Sequence, residues 1–446
     1  MEEVKKPPKL KRRVSLFALT IYGIGNILGA GIYALIGDVV GITGNLSWLA
    51  FVLASITGVL TGLSYAELSA MYPKSAAEFV YTEEAFKKRI LSFILGWIII
   101  FSGVLSAATV ALAFGGYLSD LLGIEFIVFK IVFAIILVLG LSGINFIGIK
   151  TSTRTNIIFT MIEALGLIII IFLGFFGQQE PNYFSLPSGS SFLVIFSAVA
   201  LIFFAYIGFE DIANIAEEVK EPNKNLPKAI IYSIFITTIL YCFTAIAVVK
   251  ILPIDRIADS EAPLADVAEE ILGPVGVFLM SSIALFATAN TVLIMLIVTS
   301  RMMYGMARDK ALPIGISKIS SKHRTPIIAV YLTTGFTLIP IFIGNISLVA
   351  NATVFGVLIT FFLVNISLIA LRKTKPDLER PFELKPSFKG VPLIALLGSI
   401  VCIALLFTFT DDLLIILIQM IIIIIGIIVF YVMKSKIETK TLSKAT

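Results

Sequence analysis

Histidine and cysteine are almost missing from this chain: one histidine and two cysteines stand among 446 residues. Cys242 and Cys402 each sit inside an apolar stretch, so neither a disulfide framework nor a cysteine-based metal site is expected. The lone His323 lies in the polar basic segment SKISSKHRTP, which excludes histidine-based triads and a buried histidine proton relay. Charge is scarce too. Asp, Glu, Lys and Arg make up 14% of the residues, against about 25% in a soluble globular chain. With 58% hydrophobic residues and a mean hydropathy of +1.02, an ordinary soluble enzyme is excluded. So is a nucleic-acid binder, despite the net charge of +5. A membrane enzyme finds no nucleophile motif or metal cluster to support it, and an ion channel no repeated filter motif or rings of charge.

What the chain has is length in its apolar runs. At about 20 residues per span, they supply about a dozen membrane helices. The runs fall near 15–36, 46–70, 91–118, 127–147, 154–176, 192–216, 228–250, 274–304, 326–343, 346–371, 391–409 and 413–433. In lipid such runs mean helix, because every backbone group must be satisfied internally. The basic segment MEEVKKPPKLKRR resembles the start of a signal peptide, but residues 15–36 are too long and end without a small-residue cleavage site. A retained first helix is expected.

With the N-terminus inside, 31 of the 34 lysines and arginines fall in the inner segments 1–14, 71–90, 148–154, 217–228, 301–324, 372–389 and 434–446. Only Lys130, Lys250 and Arg256 lie outside. That asymmetry places both termini in the cytoplasm, and it explains the basic charge without an acidic partner. The largest outer loop, near 251–273, is acidic and expected to cap the outer face. Inner loops are short, with Pro73, Pro222, Pro227, Pro313 and Pro326 marking helix starts, and no appended soluble domain is expected.

Two spans carry unusual punctuation. The first contains GIGNILGAGIY (23–33), and the sixth contains FFAYIGFEDIANIAEEVKEP (203–222), where Gly208 is followed closely by Glu210 and Asp211. They are five spans apart, the odd number an inverted repeat requires, and both breaks lie at matching depths. Gly25-x-x-x-Gly29 alone can be read as a small-residue packing seam. As a nucleotide fingerprint it has one residue too many and no preceding strand. The sharper reading is a discontinuous helix. Unwinding at Gly29-Ala30-Gly31 frees N–H groups at the start of an outer half-helix, a natural seat for a carboxylate. Carbonyls ending the inner half-helix, and those around Phe204–Ile207, offer the opposite pole for an ammonium. One site with both poles matches the zwitterionic end of an α-amino acid.

Five stretches carry a family resemblance: GIGNILGAGIY (23–33), SYAELSAMYPKSAAEFVY (64–81), GIKTSTRTN (148–156), FFAYIGFEDIANIAEEVKEPNKNLPKAI (203–230) and SRMMYGMARDKALP (300–313). Together they resemble amino-acid permeases of the amino acid–polyamine–organocation superfamily, in its prokaryotic cationic-amino-acid-transporter-like branch. The resemblance implies an all-α integral membrane protein of twelve transmembrane helices. Two inverted five-helix repeats (15–177 and 191–371), each with a broken first helix, are followed by two extra helices (391–433), between cytoplasmic tails 1–14 and 434–446. It implies secondary transport of an amino acid across the plasma membrane by alternating access, with no cofactor. Carried over residue by residue, the substrate carboxylate meets the amides of Gly29, Ala30 and Gly31. Its amino group meets carbonyls of Ile27, Phe204 and Ile207, and the Phe204 ring forms a lid. Where proton-coupled relatives often carry a lysine in helix 5, this chain has Glu163.

Glu163 lies roughly 18 Å into the fifth span, too deep to snorkel. It reads as a proton carrier, a sodium ligand, a counter-charge for a cationic substrate, or a neutral structural acid. Glu210 is a candidate for proton coupling or gating, with solvation in a cytoplasmic vestibule as its alternative. Asp211 is a weaker candidate of the same kind, and Glu217 and Glu218 are expected on a solvated face. Thr288, Asn290 and Thr291 form a polar knot in the eighth span that either binds a cation, orients Glu163, or simply makes interhelical hydrogen bonds. Phe101, Ser102, Gly103 and Ser106 are expected near the side-chain pocket by fold analogy. The coupling ion is expected to be H⁺, with Na⁺ as the alternative, and transport by exchange or of a polyamine stays open. Oligomeric state is not legible.

Overall fold

The computed structural model describes residues 10–29, 31–124, 126–187, 190–260, 262–342, 346–409 and 413–445. Helices account for nearly all of its regular structure. The first span is broken into α1 (Leu16–Leu28) and α2 (Gly31–Thr43), with Ser15 capping α1 by accepting from the Ala18 N–H. α3 (Ser47–Met71) is the second span, α4 (Ala77–Phe86) a short helix outside the spans, and α5 (Arg89–Leu121) the third span. α6 (Ile127–Ile147) and α7 (Ile149–Leu173) meet at Gly148 with no further linker. The sixth span is again broken, into α8 (Val194–Tyr206) and the single turn α9 (Asp211–Asn214). α10 (Pro222–Ile251) follows as the seventh.

The outer loop folds into α11 (Ile254–Ala258) and α12 (Pro263–Leu272), both packed on α2. α13 (Pro274–Arg308) is the eighth span. α14 (Ile327–Leu338), α15 (Ile346–Thr374), α16 (Leu393–Phe407) and α17 (Leu413–Ala445) complete the chain. A small hairpin, β1 (Ser387–Phe388) and β2 (Val391–Pro392), precedes α16. Its two loop residues, Lys389 and Gly390, both have positive φ, as a primed two-residue turn needs.

Among the described residues, nine segments are long and apolar enough to cross a membrane, and three shorter apolar helices accompany them. The chain is an all-α multi-span membrane protein. Burial separates centre from rim: 78% of the most apolar window of α13 is enclosed, against 22% in α6 and α17. Phe126, Ile136, Phe172 and Leu414 stand exposed on the rim, a surface that hydrocarbon covers at no cost. Around α13 pack α5, α6, α7, α14 and α1, while α3 packs on α10, α8 and α16.

Helix starts differ from those of the apolar runs by more than two residues at two places. The fifth span starts at Ile149 rather than 154, and the seventh at Pro222 rather than 228, so Pro227 lies inside the helix instead of starting it. Polar residues at these ends continue the helix beyond the hydrophobic stretch that composition detects.

Candidate functional site

Both breaks are set by glycines in backbone conformations that other residues avoid. Gly29 ends α1 at φ +37°, and Gly208 follows α8 at φ +129°. The breaks lie against each other. A Cβ on Gly208 would fall 2.8 Å from Asn26 Nδ2 and 2.9 Å from the Asn26 carbonyl oxygen. Asn26 uses this closeness: its Nδ2 donates to the Gly208 carbonyl and to Asp211 Oδ2, each at 2.7 Å. The Gly208 N–H donates to Glu210 Oε2 at 2.8 Å. Beyond the breaks the outer halves converge, where a Cβ on Gly31 would lie 2.9 Å from Ala205 Cα.

Tyr241, on α10, closes the seam from behind. Its hydroxyl lies 2.7 Å from the Ile27 carbonyl oxygen and 3.1 Å from those of Leu28 and Ala205. One O–H proton serves three carbonyls freed by two helix breaks, so acceptor capacity is left over.

In front of the seam is a cavity of about 100 Å³. Ile27, Gly29, Gly31 and Ile207 line it, as do Asn26, Glu210, Asp211 and Thr291. Ala30 lies outside the described residues, and so does the side chain of Phe204, whose backbone belongs to α8. The opposite wall comes from α5 (Ile99, Ser102, Gly103, Ser106, Val110), α13 (Met295, Val298) and α15 (Thr353, Val357). Phe101 does not reach the cavity; its ring packs on Trp97 and Phe336 instead.

Glu163, Thr288 and Asn290 stand apart from that wall. Glu163 is buried on α7, with Oε2 accepting from Asn290 Nδ2 at 3.2 Å and Oε1 without a partner among the described residues. Asn290 is a hub: its Nδ2 also lies 3.0 Å from Thr160 Oγ1 and 3.5 Å from the Gly25 carbonyl oxygen, and its Oδ1 accepts from Asn156. The same Gly25 carbonyl accepts from the Gly29 N–H. A polar chain thus runs from Glu163 through Asn290 to the break in the first span. Tyr33, on α2, donates to the Glu163 backbone carbonyl at 2.9 Å. Among the described residues, Thr288 bonds only carbonyls of its own helix, Ala284 and Leu285. Thr291 bonds Ala287 while facing the cavity beside Gly29.

On the inner side, Glu217 and Glu218 depart from the solvated face expected of them. Glu218 is fully buried in a two-point pair with Arg301, at 3.1 and 3.2 Å, and Arg301 also donates to Asn145 Oδ1. Glu217 accepts from the Ser75 N–H and pairs with Arg308. Their run of charge in the sequence hides that the segment after α9 folds back under α13. Glu210 and Asp211 are buried as well, at 4% and 6% exposure, rather than solvated in a vestibule.

Asn26 and Tyr241 are central to this geometry yet were not singled out from sequence. An asparagine inside the first span's glycine motif was a usable signal for Asn26. Nothing local distinguishes Tyr241 from other tyrosines in apolar runs.

Comparison with known proteins bears on what the cavity serves. The profile of the family described as amino acid permease matches residues 14–430. The branched-chain amino acid permease BcaP of Bacillus subtilis (strain 168) is 30% identical over 416 residues, covering 89% of this chain and 88% of its own length. The methylthioribose transporter of the same organism is 27% identical over 425 residues, with the same coverage. The inner membrane transport protein YbaT of Escherichia coli (strain K12) is 28% identical over 362 residues, covering 80% of this chain and 83% of its own.

Proposed function

From a chain that belongs to the amino acid permease family, and is therefore a membrane transporter rather than an enzyme, we propose secondary active transport of an α-amino acid by alternating access. The observation that carries this reading is the single cavity at which two broken helices meet. There the start of α2 offers amides to a carboxylate, and the ends of α1 and α8 offer carbonyls to an ammonium. In this assignment Gly29, Ala30 and Gly31 receive the carboxylate. The carbonyls of Ile27, Phe204 and Ile207 receive the amino group, Ile27 sharing its lone pairs with Tyr241.

The far wall suits an aliphatic side chain. Ile99, Val110, Met295, Val298 and Val357 supply the apolar contacts, with Ser102, Ser106 and Thr353 the polar interruptions. A relative named for branched-chain amino acids points the same way. Glu210 and Asp211 favour a second reading, a cationic amino acid, whose side chain would turn toward the two acids.

Alternating access calls for two inverted units, 15–177 and 191–371, ahead of 391–433. Supporting them, contacts come in pairs when the first five spans are exchanged with the second five. α1 on α10 answers to α8 on α3, α7 on α13 to α15 on α5, and α6 on α13 to α14 on α5. Charge asymmetry supports a plasma-membrane orientation with cytoplasmic termini. Protons are the proposed coupling ion, with Glu163 as their carrier.

Thermal unfolding of the purified protein tests the substrate, since a ligand that binds the folded state raises Tm. L-Leucine and L-isoleucine are expected to stabilise, and leucine methyl ester, which lacks the anion, is not. Stabilisation by L-arginine alone would select the cationic reading. Equal stabilisation by the ester or by putrescine would overturn the carboxylate site and favour a polyamine.

A further inference from the structure

The one histidine sits in a second cavity, of about 170 Å³, on the face that carries both the α6–α7 turn and the loop after α13. Five cationic side chains line it: Lys11, Arg13, Lys150, Lys322 and Arg324. None of the five has a carboxylate within ion-pair distance among the described residues. The first residues of α7, Ile149 and Lys150, line it too, ahead of Thr151 and Ser152, whose amides donate to the Gly148 carbonyl. So many like charges around one hollow repel unless an anion joins them.

The hollow is built rather than incidental. His323 Nδ1 lies 3.2 Å from the Ile147 carbonyl oxygen, and its ring packs on Phe146. Thr325 Oγ1 donates to the Phe146 carbonyl at 2.9 Å. A bridge between Ile319 and Pro326 tightens the loop, and Arg324 takes a left-handed φ of 60° within it. Arg13 is held from the other side, its N–H donating to the Glu218 carbonyl at 2.7 Å.

Next to the cup is a slot of about 140 Å³ that shares Arg13 and Lys150 with it and is otherwise lined by Val14, Ala18, Ile157, Thr153 and Arg154. This slot lies between α1 and α7, beside the exposed Phe17, Ile158 and Met161 of the lipid-facing rim. A basic cup joined, at the membrane edge, to a slot that sets Val14, Ala18 and Ile157 beside basic side chains matches an amphiphile with an anionic head.

We propose that this pair of cavities binds an anionic phospholipid: its phosphate in the cup of Lys11, Arg13, Lys150, Lys322 and Arg324, its acyl chain in the slot. The shared chemistry is the phosphate anion; the slot assigns it to a lipid rather than to free phosphate. Only the leaflet, the cytoplasmic one, rests on the orientation proposed above.

Native mass spectrometry of the delipidated protein, with phosphatidylglycerol, phosphatidylcholine or inorganic phosphate added in turn, tests this. Phosphatidylglycerol is expected to give retained adducts and a raised Tm, at least tenfold more readily than phosphatidylcholine. Lys150→Ala/Lys322→Ala/Arg324→Ala is expected to lose that preference at least tenfold. The exposed Lys322→Ala alone should lose part of it, which keeps the test open if the triple variant does not fold. Equal adducts with both lipids, or an unchanged preference in both variants, would overturn the site. Inorganic phosphate matching phosphatidylglycerol at equal concentration would overturn the lipid assignment.

Discussion

Glu163 shows how little a side chain's identity says without its neighbours. A carboxylate at mid-membrane is costly, and Asn290 supplies only one hydrogen bond to it. Because Asn290 also approaches the Gly25 carbonyl, a change of charge on Glu163 alters what the asparagine donates to the broken helix. A proton shifts an equilibrium only by its differential affinity for two states, and this chain of contacts is where such a difference can arise. Glu163→Gln keeps the shape and fixes the neutral form. In proteoliposomes it is expected to retain exchange and to lose pH-driven accumulation; accumulation that persists removes Glu163 from coupling, and accumulation driven by sodium alone makes it a sodium ligand. Gly31 is a different case. Its missing side chain faces the backbone at Ala205, so Gly31→Val forces the outer half-helices apart. A loss of about 1–3 kcal/mol in stability is expected together with lost uptake, read by thermal unfolding and transport side by side.

Among the elements, the segment after α9 is tied to α13 and α6 through one buried guanidinium. Arg301 and Glu218 are both fully enclosed, and Asn145 takes a further Arg301 N–H. Removing one partner leaves the other charge buried and unpaired, which costs about 3–5 kcal/mol. Replacing both by apolar residues avoids that cost. Glu218→Ala is therefore expected to lower Tm far more than Glu218→Leu/Arg301→Met, a comparison that separates a buried charge from a lost contact. Equal losses would mean that the pair acts mainly by shape. A parallel arrangement anchors α15: Arg372 meets Glu67 at 2.7 Å and Glu383 at 2.6 Å, fixing it against α3.

For the molecule as a whole, pH enters stability through Glu78, on α4 outside the spans. Burial raises its carboxyl from the ordinary 4.5 to about 7, against the opposing hydrogen bonds from Asn214 and Tyr65. The folded protein thus holds a proton that the unfolded chain releases between those values. Stability contributed by the neutral acid is present near pH 4.5 and falls as pH rises toward 7, by ~3 kcal/mol in all. Glu78→Gln is expected to flatten that part of the Tm–pH curve; an unchanged slope would assign it to other groups.

The sequence by itself determined the membrane, an all-α chain that crosses it many times, and the two breaks. Hydrocarbon demands long apolar helices, and glycines at Gly29 and Gly208 mark where those helices cannot continue regularly. Its charge asymmetry likewise pointed to an orientation. Only the tertiary structure decided which polar groups meet: Tyr241 reaching carbonyls more than 200 residues away, Asn26 joining Asp211, and Glu218 buried on Arg301. Local patterns report how a residue partitions between lipid and water. They carry no record of which distant helix packs beside it, and in a bundle that is where a buried polar group finds its partner.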